Sequence, residues 1–295
     1  MAINWYPGHM TIARKAAAES MGKIDLVIEV LDARIPYSSC NPMFESLRRQ
    51  GKRPALKLLN KADFADPEQT RRWLRYYQAL PDTKAVSLCA KRPKEVQRIL
   101  KLCQAMLPLR GIPGKPLRMM ILGTPNVGKS TLMNALLNHR VAPVGDEPGI
   151  TKIQLLHRLG DWMSLMDTPG MLWPGMTQDA SYRLAATHGI GRGAYQDDDV
   201  AVYLASYLVT HYPALLVKRF GPAAAASDGP GLLSAIAQAR SLAKKAGGLD
   251  LARAATTLLN DFRGGALGPI TLETVEQVAP PSPEAPVQVP TQDPA

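Results

Sequence analysis

A chain of 295 residues with 46% apolar content can bury the core of one large domain and a smaller one, and no run of 18 or more apolar residues is present to span a membrane. Three widely spaced cysteines (Cys40, Cys89, Cys103) give no readable disulfide framework or zinc site, and the N-terminus lacks the apolar stretch of a signal peptide, so a reducing cytoplasm is expected. The net charge is +10; beyond Arg263 there are four acidic side chains and no Lys or Arg, so the first 263 residues carry +14 and favour a polyanionic partner, RNA first. Candidate basic patches are Arg48-Arg49, Lys52-Arg53, Arg71-Arg72-Arg75, Arg92-Lys94 and Lys244-Lys245.

In chain order, Tyr6-Pro7-Gly8 is turn-like, and Thr11 to Met21 reads as an Ala-rich helix that Thr11 caps. Ile24 to Leu31 is a near-continuous apolar strand, as in a parallel sheet covered on both faces. A helix over Asn41–Gln50, a strand over Ala55–Leu59 and a helix opened by Pro67 and running to Ala79 follow. Lys84–Val86 is a further strand, and Pro93–Met106 a helix. The Pro- and Gly-rich stretch Pro108–Pro116 is a connector. Strand alternating with helix predicts an α/β fold with a doubly wound, mostly parallel sheet.

The apolar run Leu117–Leu122 leads into Gly123-Thr-Pro-Asn-Val-Gly-Lys-Ser-Thr131. A strand, a glycine-rich turn and a helix start make the setting of a phosphate-binding P-loop. Thr124, Pro125, Asn126, Val127, Gly128 and Thr131 are expected to surround the phosphates, all but Pro125 offering a backbone N–H; Lys129 reaches the β- and γ-phosphates, and the Ser130 hydroxyl completes a Mg²⁺ shell. Upstream, Asn60-Lys-Ala-Asp63 leaves a strand end. Asp63 can accept hydrogen bonds from guanine N1–H and its 2-amino group, a pair adenine lacks; Asn60 can bond the N7 edge and the stem of Lys61 can lie along the base. Ser87, Ala90 and Lys91, in Ser87-Leu-Cys-Ala-Lys91, can close over the base through backbone groups. Downstream, Thr151 lies in a Pro- and Gly-rich loop where its hydroxyl can join Mg²⁺, and Asp167 and Gly170, in Asp167-Thr-Pro-Gly170, suit the outer Mg²⁺ shell and the γ-phosphate.

These motifs resemble the Ras-like GTPases, with the base-specificity motifs placed before the P-loop as in the circularly permuted members. Asn4-Trp-Tyr-Pro-Gly-His-Met10 and Leu31-Asp-Ala-Arg-Ile-Pro36 resemble the ribosome biogenesis GTPase A family, over roughly residues 1–265. The resemblance implies a GTP-hydrolysing assembly factor that binds the maturing large ribosomal subunit and is released after hydrolysis. The alternatives are a GTP-gated RNA-binding module and a small-subunit assembly GTPase; the permuted relatives acting on the small subunit carry an OB-fold and a zinc knuckle, and this chain has neither. The expected cofactor is Mg²⁺, with K⁺ as a second ion if Asn126 holds it beside the phosphates. Met171 and Leu172 stand after Gly170 where fast enzymes carry a water-orienting Gln, so slow intrinsic hydrolysis is expected. His9 is the candidate catalytic group by resemblance; a turn residue is its other reading.

The expected organisation is a permuted GTPase domain over 1–190, a helical RNA- or ribosome-binding domain over 195–263 and a disordered Pro-rich tail over 264–295. The helices expected are Asp179–Gly189, Asp198–Leu208 capped by Asp197 or Asp198, Leu232–Ala246 and Leu249–Phe262. A monomer without a membrane partner is expected.

Overall fold

Every residue of β1 (Leu26–Asp32) is buried. Its alternation sends Leu26, Ile28 and Val30 to one face of a sheet and Val27 and Leu31 to the other. β1 pairs in parallel with β2 (Ala55–Asn60) on one side and β4 (Leu117–Leu122) on the other. β3 (Thr83–Ser87) lies beyond β2 and β6 (Met163–Asp167) beyond β4, both parallel, and the short β5 (Leu155–Arg158) is antiparallel to β6 at the edge. The six strands run β3-β2-β1-β4-β6-β5. The computed structural model describes residues 8–138, 155–224, 228–244 and 247–278, with the backbone alone for residues 8–14.

Helices cover both faces. Under one face lie α1 (Gly8–Met21), α2 (Pro42–Gln50) and α3 (Pro67–Gln78); under the other lie α4 (Pro93–Met106) and α5 (Lys129–Leu137). The starts of α2 and α3 are written locally. Asn41 accepts from the Met43 N–H and Asp66 from the N–H groups of Glu68 and Gln69, each with a proline at the first helical position. α1 begins at Gly8, ahead of the Thr11 cap expected for it.

The doubly wound, mostly parallel sheet follows the alternation of strand and helix, but its interior holds an ion pair that an apolar pattern conceals. Glu29 on β1 and Lys57 on β2 are register neighbours, 3% and 1% exposed, and their side chains form a salt bridge beneath the Tyr77 ring. Each charge is tolerated only because the other is there.

A second core is built from helices: α6 (Gln178–Ala186), α7 (Asp197–His211), α8 (Pro213–Phe220), α9 (Gly229–Ala239) and α10 (Leu251–Arg263). α6 belongs to this core through Leu184, Ala185 and Ala186, which lie within the span read as GTPase domain. α7 is preceded by Gln196 without a side-chain cap; Asp197, Asp198 and Asp199 occupy its first turn, where the helix dipole favours them. α9 stops at Ala239, short of the expected Ala246, because Ser241 turns into left-handed backbone and Ala243 bridges to Leu249. No single helix among the described residues is long and apolar enough to cross a membrane.

The expected disorder from residue 264 onward does not hold over 264–278. Ile270 N–H donates to Phe64 O and Leu272 N–H to Arg34 O, and α11 (Val275–Val278) packs on α3. Glu273, fully buried, accepts from the Tyr37 and Ser38 backbone, the Ser38 hydroxyl and Arg183. Its low polar content misleads because one buried glutamate and three apolar side chains (Leu267, Ile270, Leu272) are enough to dock it. Residues 279–295 lie outside the described residues.

Candidate functional site

The parallel strands β1, β2, β4 and β6 end on one side of the sheet, where open α/β folds bind ligands. The turn after β4 carries Thr124–Gly128, and α5 begins at Lys129, so its first N–H groups point into that turn. Gly128 has φ +99°, and a Cβ there would sit 2.2 Å from Asn60 Nδ2. Only glycine fits. Asn126, also left-handed at φ +59°, bends the loop and donates from Nδ2 to His188 O at 2.7 Å.

Asn60 has a bracing role in the structure as well. Besides the N7 contact expected of it, Asn60, 3% exposed, bonds within the protein at both ends of its amide: Nδ2 donates one hydrogen to Val127 O (2.7 Å) and Oδ1 accepts from Ala90 N–H (2.9 Å). One side chain thus pins the P-loop to the Ser87–Lys91 loop. Lys61, at φ +60°, places its ammonium 2.6 Å from Asn126 O and 2.9 Å from Asp32 Oδ2. Asp63, Ser87 and Lys91 are exposed around this turn. A cleft of about 770 Å³ opens there, lined by Asp63, Ser87, Leu88 and Cys89 and reaching Arg98 and Lys101 on α4.

Across the turn, the loop after β6 is drawn against the P-loop. Met171 N–H donates to Gly123 O, Thr168 Oγ1 donates to Ile121 O at 2.7 Å, and a Cβ on Gly170 would lie 2.9 Å from Pro125 Cα and 3.1 Å from Lys129 Nζ. Gly170 is therefore a contact surface of the P-loop itself. Met171 and Leu172 are both fully buried, one in each core. Thr124 Oγ1 and Asp167 Oδ1 are buried without a hydrogen-bond partner among the described residues, two polar atoms in one site that await a ligand or ion. Ser130 and Thr131 are half-buried on the first turn of α5. Thr151 lies outside the described residues; His9 falls on the backbone of α1, and its side chain is also outside them.

Lys129 donates to Gly123 O (3.0 Å) and Thr124 O (2.8 Å). Burial pushes its ammonium down to about 8, against the pull of the Asp167 carboxylate, while burial raises Asp167 above the usual carboxylate range. A phosphate beside Lys129 favours the charged form, so nucleotide binding above pH 8 must recruit a proton to it. Between about 8 and the unfolded value the unfolded chain holds this proton and the native chain does not, so Lys129 by itself makes stability rise with pH in that window. Calorimetric titration with GTP at pH 8.5 in two buffers of different ionisation heat should show uptake of roughly 0.5–1 proton per nucleotide, falling to near zero at pH 6.5. No uptake at pH 8.5 would mean that Lys129 is charged already and the phosphates do not change its environment.

One residue of the site belongs to no motif with an assigned role. Asp32, at the end of β1 and 1% exposed, holds Lys61 on one side and Arg34 on the other. Burial pushes its carboxyl up, but Arg34 and Lys61 outweigh burial and hold it far below the usual carboxylate range. An acidic residue terminating a fully buried, mostly apolar strand is the signal that points to it.

Known proteins share this arrangement. A family model described as 50S ribosome-binding GTPase matches residues 118–208. Ribosome biogenesis GTPase A of Bacillus cereus is 37% identical over 285 residues, covering 94% of this chain and 95% of the relative. Mitochondrial ribosome-associated GTPase 1 of Mus musculus is 31% identical, covering 91% of this chain and 89% of its own length. The GDP-bound structure of YlqF from Thermotoga maritima superposes with a TM-score of 0.63 at 22% identity, covering 88% of this chain and 99% of that one. The fold is therefore shared through the helical region as well as the sheet.

Proposed function

Since the chain belongs to the ribosome biogenesis GTPase A family, GTPases of ribosome assembly, we propose that it docks as a GTP-loaded monomer on the maturing large ribosomal subunit and leaves after hydrolysis. The observation that carries this reading is the basic face of α4. Several other basic candidates are engaged within the chain: Arg48 and Arg49 bind Glu45, and Arg72 binds Glu68 and Glu276. On α4, Lys94, Arg98 and Lys101 are exposed at four- and three-residue spacing, hence on one side of the helix, and form no ion pair among the described residues. Lys91, exposed and in no ion pair among the described residues, extends the patch to the base-recognition loop, while the neighbouring Arg92 is paired with Glu95 at 3.0 Å. Rows of uncompensated cations suit RNA phosphates.

In the proposed cycle Ser130, Thr151 and Asp167 would hold Mg²⁺; the orphaned Asp167 Oδ1 fits that role. The ion would neutralise charge between the β- and γ-phosphates. K⁺ is the second proposed ion, which Asn126 would help to hold beside the phosphates; its amide nitrogen donates to His188 O. Lys129 and the α5 N–H groups bear the phosphates, and Gly170 N–H meets the γ-phosphate. Met171 and Leu172, turned into the cores, themselves offer no group to orient water. The particle therefore completes the site, with His9 as the proposed water-positioning group.

GTP turnover at fixed K⁺ with purified large or small subunits tests this. Large subunits alone should stimulate the wild type. The triple variant Lys94→Ala/Arg98→Ala/Lys101→Ala should keep GTP affinity but lose stimulation, and its subunit affinity should depend less steeply on salt, by about 2–3 in the log–log slope. His9→Ala should bind both GTP and subunits yet not be stimulated. Stimulation by neither subunit would overturn the ribosomal reading in favour of a GTP-gated RNA-binding module; stimulation by the small subunit would favour the other alternative.

A further inference from the structure

The end of α10 is tied to the P-loop by two separate routes. On the first, Lys61 Nζ joins Asn126 O to Asp32, and Asp32 takes a two-pronged bond from Arg34, Nε to Oδ1 at 2.9 Å and Nη2 to Oδ2 at 2.8 Å. Arg34, 2% exposed, then reaches the last carbonyls of α10, Phe262 O at 3.5 Å and Arg263 O at 3.4 Å, with its guanidinium 5.1 Å from the centre of the Phe262 ring. On the second, Arg263 donates from Nε to Ala186 O (2.9 Å) and from Nη2 to Ala185 O (3.0 Å), the closing carbonyls of α6. The turn that ends α6 presents His188 O, which accepts from Asn126 Nδ2. The circuit closes on Asn126.

Both arginines cap helix C-termini, where unpaired carbonyls and the helix dipole favour a cation. Neither lies in the phosphate or base site. The fork of Arg34 has one geometry that satisfies the carboxylate and the carbonyls together, so a shift at either end has to be shared by the other. α6 (Gln178–Ala186) is the next helix after the Asp167–Gly170 loop that lies against Lys129, so the chain that meets the γ-phosphate site at Gly170 runs on, through residues 171–177, into the helix whose last carbonyls Arg263 holds.

We propose that Arg34 and Arg263 are positioning residues that couple the nucleotide site to the C-terminal end of α10, so that GTP and GDP set different stabilities of that helix end. This inference rests on GTP binding alone and not on the large-subunit reading, which no step of its test involves.

Hydrogen exchange of the full chain, loaded with GDP or with a non-hydrolysable GTP analogue, gives the readout. In the wild type, amides of residues 258–268 should exchange at rates differing by at least about fivefold between the two states. In Arg263→Ala both nucleotides should bind within about twofold of wild type while that difference disappears. A variant that merely loosens the fold would speed exchange equally in both states and keep the ratio. Arg34→Lys, which retains the charge and loses the fork, is the second variant and carries the test if Arg263→Ala does not fold. Equal exchange in the two states of the wild type, or a ratio preserved in the variants, overturns the coupling.

Discussion

Asn60→Ala should weaken GTP and GDP binding alike by about two orders of magnitude and lower thermal stability as well. The amide satisfies Val127 O from one end and Ala90 N–H from the other, at 3% exposure. Alanine leaves both partners buried without a bond, at about 1–3 kcal/mol each. Part of that loss falls on folding, since the tie crosses from β2 to the P-loop in the protein itself; about 2 kcal/mol there would lower Tm by several degrees in a chain of this size. The remainder falls on binding, because a released P-loop must be ordered by the nucleotide, and about 2.7 kcal/mol is a factor of a hundred. No γ-phosphate contact is removed, so the GTP-to-GDP ratio should stay where it was. Titration with both nucleotides, alongside a melt, decides it. A lowered Tm with unchanged affinity would make Asn60 a brace for the fold and nothing more.

That role for Asn60 was not legible in the sequence, and the reason is general to this site. Motifs with a fixed local geometry were readable: Gly123–Thr131 between an apolar strand and a helix, Pro42 and Pro67 at helix starts behind Asn41 and Asp66, and the alternation of strand with helix. The permuted order was readable too, because Asn60–Asp63 stands before Gly123 in the chain whatever the fold. What stayed hidden depends on pairing between distant segments. Glu29 and Lys57 are each an anomaly in an apolar strand until register places them side by side. The amide of Asn60 reads as a base contact alone until Val127 and Ala90 are brought to it. Residues 264–278 look like a solvated tail until Glu273 meets Ser38 and Arg183. The helix that overran, Leu232–Ala246, failed for the opposite reason: helical spacing persisted in the sequence, but a single left-handed residue, Ser241, ended it.

Asp63→Asn should exchange guanine for xanthine, with GTP affinity down by about 10²–10⁴ and xanthosine triphosphate bound in its place. A carboxylate accepts from both N1–H and the 2-amino group of guanine, two charge-assisted bonds of about 1.5–3 kcal/mol each. An asparagine side chain offers one acceptor and one donor. Its oxygen still suits N1–H, but its NH₂ now faces the guanine amino group, donor against donor. Xanthine carries an oxygen at that position, so the pairing is restored. Unlike Asn60, Asp63 is exposed in the turn after β2, so the substitution should leave the melting temperature near wild type and the loss should appear in binding alone. Turnover measured with the two triphosphates at several concentrations separates the outcomes. A crossover in preference places the base against Asp63. Equal loss of both would mean that the turn itself has been disturbed, and no loss of either would leave Asp63 a solvated residue and move base recognition to the backbone of Ser87–Lys91. The crossover is the more informative result, because no general weakening of the site can produce a gain for xanthine.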